Sequence, residues 1–184
     1  MANYDCDIIN NALSKFKERR RFMKCPTSLM FDADNTLYRF STYGEVEVST
    51  REMYSQYFFK NLPIFHEAPI VITNLQKLGF KCGIITTAIN SPYCASEKME
   101  SFKYYFPMID PKDIHILDPK TPKWTVTDSI QDTILIDDYH KNIMDWYNAG
   151  GIAIKKSYSG KQRPVPVVTS LIDLFSVLRD LNAY

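Results

Sequence analysis

Apolar residues fall along the chain in two alternating patterns. Residues 27–31, 80–86, 114–117, 133–136 and 152–154 are short apolar runs without internal alternation. Runs of this kind predict strands buried on both faces, as in a parallel sheet. The segments between them carry helical spacing. Val71, Leu75 and Leu78 share one face of a helix over 68–78, which Gly79 stops. A second helix opens at Asn90-Ser91-Pro92 and runs to about residue 105, and a third follows Asp137-Asp138 and ends at Gly150-Gly151. Leu171, Leu174, Phe175 and Leu178 mark a last helix in the tail. Ser49-Thr50 is read as the cap of a helix reaching about Lys60, with Pro63 as its breaker. Residues 37–48, with Gly44 at the centre, are read as a small β-hairpin. The opening segment, with Ile9, Leu13, Phe16 and Met23 near one face, is read as a helix ended by Cys25-Pro26. Strand, helix, strand, helix predicts an α/β fold, a Rossmann-like three-layer sandwich whose crossovers are right-handed.

Composition narrows the class. With 184 residues, the chain has the length of one domain. The expected division is an N-terminal helix over 1–26 packed on a core of 27–184, with a small cap at about 38–66. The formal charge of +1 argues against a bulk binder of polymeric nucleic acid or of a membrane surface. Six basic residues and one Glu between Lys15 and Lys24 read as a solvated helix face. Cys6, Cys25, Cys82 and Cys94 match neither a zinc spacing nor a disulfide framework, which points to reduced thiols and a cytoplasmic location. No stretch resembles a signal peptide or a membrane span.

In open α/β sheets, ligands gather beyond the carboxyl ends of the strands. Those ends here are charged or hydroxylic: Asp32 and Asp34 after the first strand, Thr86 and Thr87 after the second, Asp137 and Asp138 after the fourth. The loop after the short third strand carries Lys120 and Lys123. Four converging carboxylates repel unless a cation offsets them, and an all-oxygen set suits a hard ion such as Mg²⁺. A carboxylate beside a hard cation, a lysine and hydroxyl donors points to phosphoryl transfer. Asp32 is then the nucleophile and Asp34 the acid and base. Thr86 and Lys120 hold the phosphoryl oxygens, and Asp138 with Asp137 completes the metal site.

These residues resemble the motifs of the haloacid dehalogenase-like hydrolase superfamily. They are Asp32-Ala33-Asp34-Asn35-Thr36, Thr86 at a strand end, a lysine, and Asp137-Asp138 after a strand. Ser91-Pro92-Tyr93, Glu97-Lys98, Tyr105-Phe106-Pro107 and Leu135 to Tyr139 with Lys141-Asn142 narrow the likeness to the 5′(3′)-deoxyribonucleotidases over roughly 27–155. Phe58 to Pro63 resembles the segment where that family leaves its cap. The resemblance implies a HAD-like core with a cap inserted after the first strand, Mg²⁺ as cofactor, and a nucleoside monophosphate as substrate. By position it implies Asp32, Asp34, Asp137 and Asp138 around the metal. Thr86, Thr87 and Lys120 then lie at the phosphate, and Phe40 and Lys98 toward the substrate. For Phe40, packing under the hairpin is an equal alternative. For Lys98, the helix pattern favours an exposed position.

Three features depart from the family. Asn35-Thr36 stands where Gly-Val is common, and the cap is short. Lys120 lies 18 positions before Asp138, a long gap that makes Lys123 a competitor. Asp118-Pro119-Lys120-Thr121 favours Lys120. The open cap extends the alternatives to another small phosphoester, such as a phosphosugar, and to a phosphate-binding module without turnover. It also leaves room for a homodimer. His66, His115 and His140 lack ligand partners in sequence, and Cys94 reads as a packed thiol.

Overall fold

The computed structural model describes residues 27–40, 48–157 and 165–181. The expected N-terminal helix and the tip of the hairpin lie outside these residues. Six strands form one sheet: β1 (Ser28–Phe31), β2 (Lys81–Thr87), β3 (Ile114–Leu117), β4 (Thr133–Asp137), β5 (Ile152–Lys156) and β6 (Val167–Val168). Their order is β3-β2-β1-β4-β5-β6, and every pairing is parallel. Chain order reverses between β1 and β4, the place where such sheets open a crevice for ligands.

Two apolar layers enclose the sheet. Leu29 and Phe31 of β1 join Ile84, Ile134, Ile136 and Ile154 in the larger cluster. This cluster is covered by α2 (Ala68–Lys77), α3 (Cys94–Tyr105) and α5 (Leu174–Leu181). Met30, Ile85, Leu135 and Ala153 face the other way, onto Ile143 and Trp146 of α4 (His140–Asn148). Successive strand residues point to opposite faces, so uninterrupted apolar runs were required. Gly150 takes a left-handed φ of 91° after α4. A Cβ on Gly151 would stand 2.3 Å from the buried Trp146 indole nitrogen, so the close approach of β5 to α4 needs glycine there.

Strand register aligns the acidic ends. Phe31 is level with Ile84 and Ile136, so Asp32, Thr86 and Asp137 emerge at one edge. The Asp32 amide donates to the Ile136 carbonyl at 2.8 Å and extends the ladder by one bond.

The segment between β1 and α2 is less regular than expected. Leu37 and Arg39 pair with Phe65 and Pro63 through backbone bonds of 2.9 and 2.8 Å, so the chain leaves and re-enters the core at neighbouring points. The helix expected to reach Lys60 is a single turn, α1 (Thr50–Met53), held by a capping box between Ser49 and Glu52. It stops because a carboxylate from elsewhere takes the following amides. Glu97 of α3, buried, accepts from the backbone N–H groups of Tyr57, Phe59 and Lys60 at 2.5, 3.1 and 3.4 Å. Tyr57 adopts a left-handed φ of 69° at this clasp. The two-residue β6 and short 3-10 turns at Pro111–Asp113, Lys123–Val126 and Leu171–Asp173 add to the expected elements. No helix among the described residues is long and apolar enough to cross a membrane.

Candidate active site

The crevice between β1 and β4 opens into a cavity of about 550 Å³. Asp32, Asp34, Thr86, Thr87 and Asp138 line it. One carboxylate oxygen each from Asp32, Asp137 and Asp138 lies within 4.8 Å of the other two. Strand register makes this cluster: two strand ends that neighbour each other in the sheet deliver three acids to one point.

A lysine offsets part of the charge, and it is Lys123. Its ammonium donates to Asp32 Oδ1 and, at 2.7 Å, to Asp137 Oδ2. The side chain is buried, because the 3-10 turn Lys123–Val126 rolls it under the loop. Burial alone would lower its pKa; the Asp32 and Asp137 charges outweigh burial and raise it. Lys120, which the sequence favoured, is exposed on the rim of the cavity. The Asp118 carbonyl accepts from the Thr121 amide in one turn and the Pro122 carbonyl from the Thr125 amide in the next, so Lys120 and Lys123 belong to two consecutive turns.

Lys98 is corrected in the other direction. Instead of lying on the helix surface, it is 3% exposed. It donates to Asp34 Oδ2 at 2.7 Å, Thr86 Oγ1 at 3.0 Å and the Thr87 carbonyl at 3.0 Å. It also lies 5.2 Å from the centre of the Phe59 ring. Lys98 and Glu97 are adjacent on α3, one fastening the acid after β1 and the other the loop after α1.

Each acid is set differently. Asp34 keeps one partner, Lys98; its Oδ1 is buried with no hydrogen bond among the described residues. Burial raises its pKa, with the Asp32 charge adding and Lys98 opposing. Asp34, which the sequence counted as a fourth ligand, pairs with Lys98, and the three carboxylates that meet are those of Asp32, Asp137 and Asp138. Asp137 accepts from Lys123, from Asn142 Nδ2 at 2.9 Å and from the Tyr139 amide at 2.7 Å. Burial and then the Asp32 charge push its pKa up to about 6. Burial followed by the charges of Asp32 and Asp137 pushes Asp138 up to about 7.

Two lysines that sequence reasoning passed over support these loops. Lys155 and Lys156 are consecutive on β5 and so point to opposite faces. Lys155 donates to the Asp138 carbonyl, and Lys156 donates to the Asn35 carbonyl at 3.0 Å. Asn35 itself has a left-handed φ of 57°, which Asn tolerates. A pair of lysines ending an otherwise apolar strand was the available signal.

Phe40 is half-buried and lines the cavity while packing against Phe58 and Phe59 at centroid distances of 5.9 and 6.4 Å. His140 is an exposed residue at the start of α4, and His66 is exposed in the loop before α2. Cys94 is buried and its thiol pKa is raised by burial, which makes it inert.

The donor set fits a hard divalent cation. It is all oxygen, it carries three carboxylates, and a cation would relieve both the burial of those charges and the mutual repulsion that adds to it in raising the Asp137 and Asp138 pKa values.

No family model matches the sequence, and no curated protein matches it. Solved structures do. A putative HAD-hydrolase from Bacillus subtilis bound to magnesium has a TM-score of 0.61 at 15% identity, covering 84% of this chain and 99% of its own. A HAD-superfamily hydrolase from Ehrlichia chaffeensis has a TM-score of 0.58 at 13% identity, with coverages of 86% and 98%. L-2-haloacid dehalogenase from Xanthobacter autotrophicus with chloropropionic acid covalently bound has a TM-score of 0.57 at 12% identity, with coverages of 83% and 98%. The chain thus has the α/β, Rossmann-like fold of the HAD-superfamily hydrolases, a fold that serves both phosphatases and dehalogenases.

Proposed function

We propose that the protein is a Mg²⁺-dependent phosphomonoester hydrolase that acts on nucleoside monophosphates through an aspartyl-phosphate on Asp32. The observation that carries this reading is the meeting of three carboxylates, those of Asp32, Asp137 and Asp138, around one point. Attack of a carboxylate on a neutral carbon–halogen bond gains nothing from such a cluster. Attack on a phosphate dianion requires a cation between the two negative charges.

Asp32, Asp137 and Asp138 would hold the cation, which supplies charge neutralisation at the phosphoryl oxygens. Lys123 fixes the Asp32 carboxylate from one side, leaving its other oxygen for phosphorus. As the Asp32–phosphorus bond forms, the phosphorus–ester bond breaks, and the departing oxygen needs a proton. Asp34 is suited to give it: burial raises its pKa, and its Oδ1 has no other partner among the described residues. Its carboxylate then takes a proton from the water that releases phosphate. Lys98 and Thr86 flank this step, with Lys98 bridging the acid and the hydroxyl. Lys123 takes the place of the phosphate-site lysine expected at Lys120. A halide leaves as a stable anion and needs no acid, so an Asp34 poised in this way supports the phosphoester reading.

The nucleotide rests on the sequence resemblance and on a cavity of ligand size bordered by aromatic rings. Cys82 and Cys94 are free thiols, which supports the proposal of a reducing, cytoplasmic location.

The test is phosphate release from deoxy- and ribonucleoside monophosphates, with Mg²⁺ and with chelator, in wild type and Asp32→Asn. Release that needs the metal and vanishes in Asp32→Asn is expected. Phosphatase activity that survives in Asp32→Asn would sink the mechanism.

A further inference from the structure

Two rings at the cavity stand apart from the rest. Trp124 is 42% exposed and Tyr139 is 60% exposed, and both line the crevice that holds the acids. Each follows directly on a residue of the acidic centre, Trp124 on Lys123 and Tyr139 on Asp138. The other two rings at this cavity are already committed: Phe40 packs on Phe58 and Phe59, and Trp146 is buried in the core. An indole open to water in a polar crevice contributes little to packing, and its free face suits a flat partner.

The turn that carries Trp124 is fixed at both ends. Lys123 is tied to Asp32 and Asp137, and Thr125 donates to the Pro122 carbonyl through its hydroxyl at 2.7 Å and through its amide at 3.1 Å. Pro119 and Pro122 stiffen the approach. The backbone that carries the ring is therefore set before any ligand arrives, so binding has only the indole's own two side-chain torsions left to order.

We propose that Trp124 is the platform on which the base of the substrate stacks. Leaving-group selectivity then comes from the core loop after β3 and not from the reduced cap. This rests on the nucleoside monophosphate reading above and adds to it a specificity-determining residue.

The experiment compares kcat/KM for deoxyadenosine 5′-monophosphate with that for 2-deoxyribose 5-phosphate, which has the same phosphoester and no base. It uses the full chain as wild type, Trp124→Ala and Trp124→Phe, each first shown to keep the wild-type unfolding midpoint. The nucleotide-to-abasic ratio is expected to fall roughly tenfold in Trp124→Ala, the size of one base–aromatic stack, mostly through KM. Trp124→Phe, which keeps a stacking face, is expected to restore most of the ratio. A second readout is quenching of tryptophan fluorescence by the nucleotide in Asp32→Asn, where turnover does not interfere; Trp124→Ala should remove most of it. A ratio that does not change in Trp124→Ala, while wild type hydrolyses the nucleotide, overturns the platform and leaves the phosphatase reading standing. A wild type that releases phosphate from neither compound overturns the phosphatase reading first, and the platform with it.

Discussion

Lys123 offers the most direct test of how the acidic centre is balanced. Its side chain is 4% exposed, and its partners Asp32 and Asp137 are 10% and 0% exposed. Replacing it with Met keeps the volume and removes the charge. Two carboxylates then remain buried with Asp138 beside them and no ammonium to offset them. Removing one partner of a buried ion pair costs about 3–5 kcal/mol, chiefly from the charge left behind. For a domain of this size each kcal/mol moves the midpoint by roughly 2–4 °C, so Lys123→Met should melt about 6–20 °C below wild type when metal is chelated. Lys120→Met is the control. That residue is exposed, and its loss should stay within about 0.5 kcal/mol. Mg²⁺ should restore more of the midpoint in Lys123→Met than it adds to wild type, because no ammonium competes with the ion for the same oxygens. The assay is thermal and urea unfolding at neutral pH, with chelator and with saturating Mg²⁺. The reasoning is refuted if Lys123→Met and Lys120→Met lose equal stability, or if Lys123→Met loses less than about 1 kcal/mol.

Two further outcomes follow from the same contacts. Asp137 and Asp138 titrate near 6 and near 7 in the folded protein, above the ordinary value of 3.8. The native state therefore holds protons that the unfolded chain has released, so the metal-free protein should lose stability as pH rises from about 4 to 7. Mg²⁺ should flatten that slope, since it favours the ionised acids; a metal-free midpoint that climbs across this range would contradict the assignment. In Glu97→Ala, the amides of Tyr57, Phe59 and Lys60 lose their shared acceptor, at a cost of roughly 2–4 kcal/mol for charge-assisted bonds. Hydrogen exchange should accelerate at those three amides while β1 and β4 keep their protection, and unchanged protection at all three would show that the clasp is not what holds the loop.

Local pattern along the chain was enough to place the first five strands and the acids at their ends. Apolar runs at 27–31 and 133–136 had to be strands buried on both faces, and Asp32 and Asp137-Asp138 had to emerge where those strands end, because a strand's direction carries its next residues to a known edge. Helices over 68–77, 94–105 and 140–148 were legible for the same reason: burial repeats at a helical period over several turns. The tertiary structure decided whatever depended on contacts between distant segments. Periodicity could not tell Lys120 from Lys123, since two short turns between them set which ammonium reaches the carboxylates. It put Lys98 on the surface of an amphipathic helix, because nothing local announces Asp34 and Thr86 waiting 64 and 12 positions away. It extended α1 to Lys60, because propensity does not register that Glu97, some 40 positions later, will take the amides such a helix needs. It passed over β6, whose two residues are too few to show a period. Local pattern reports which groups a segment must bury, whereas the partner of each buried charge is chosen only when the strands come into register.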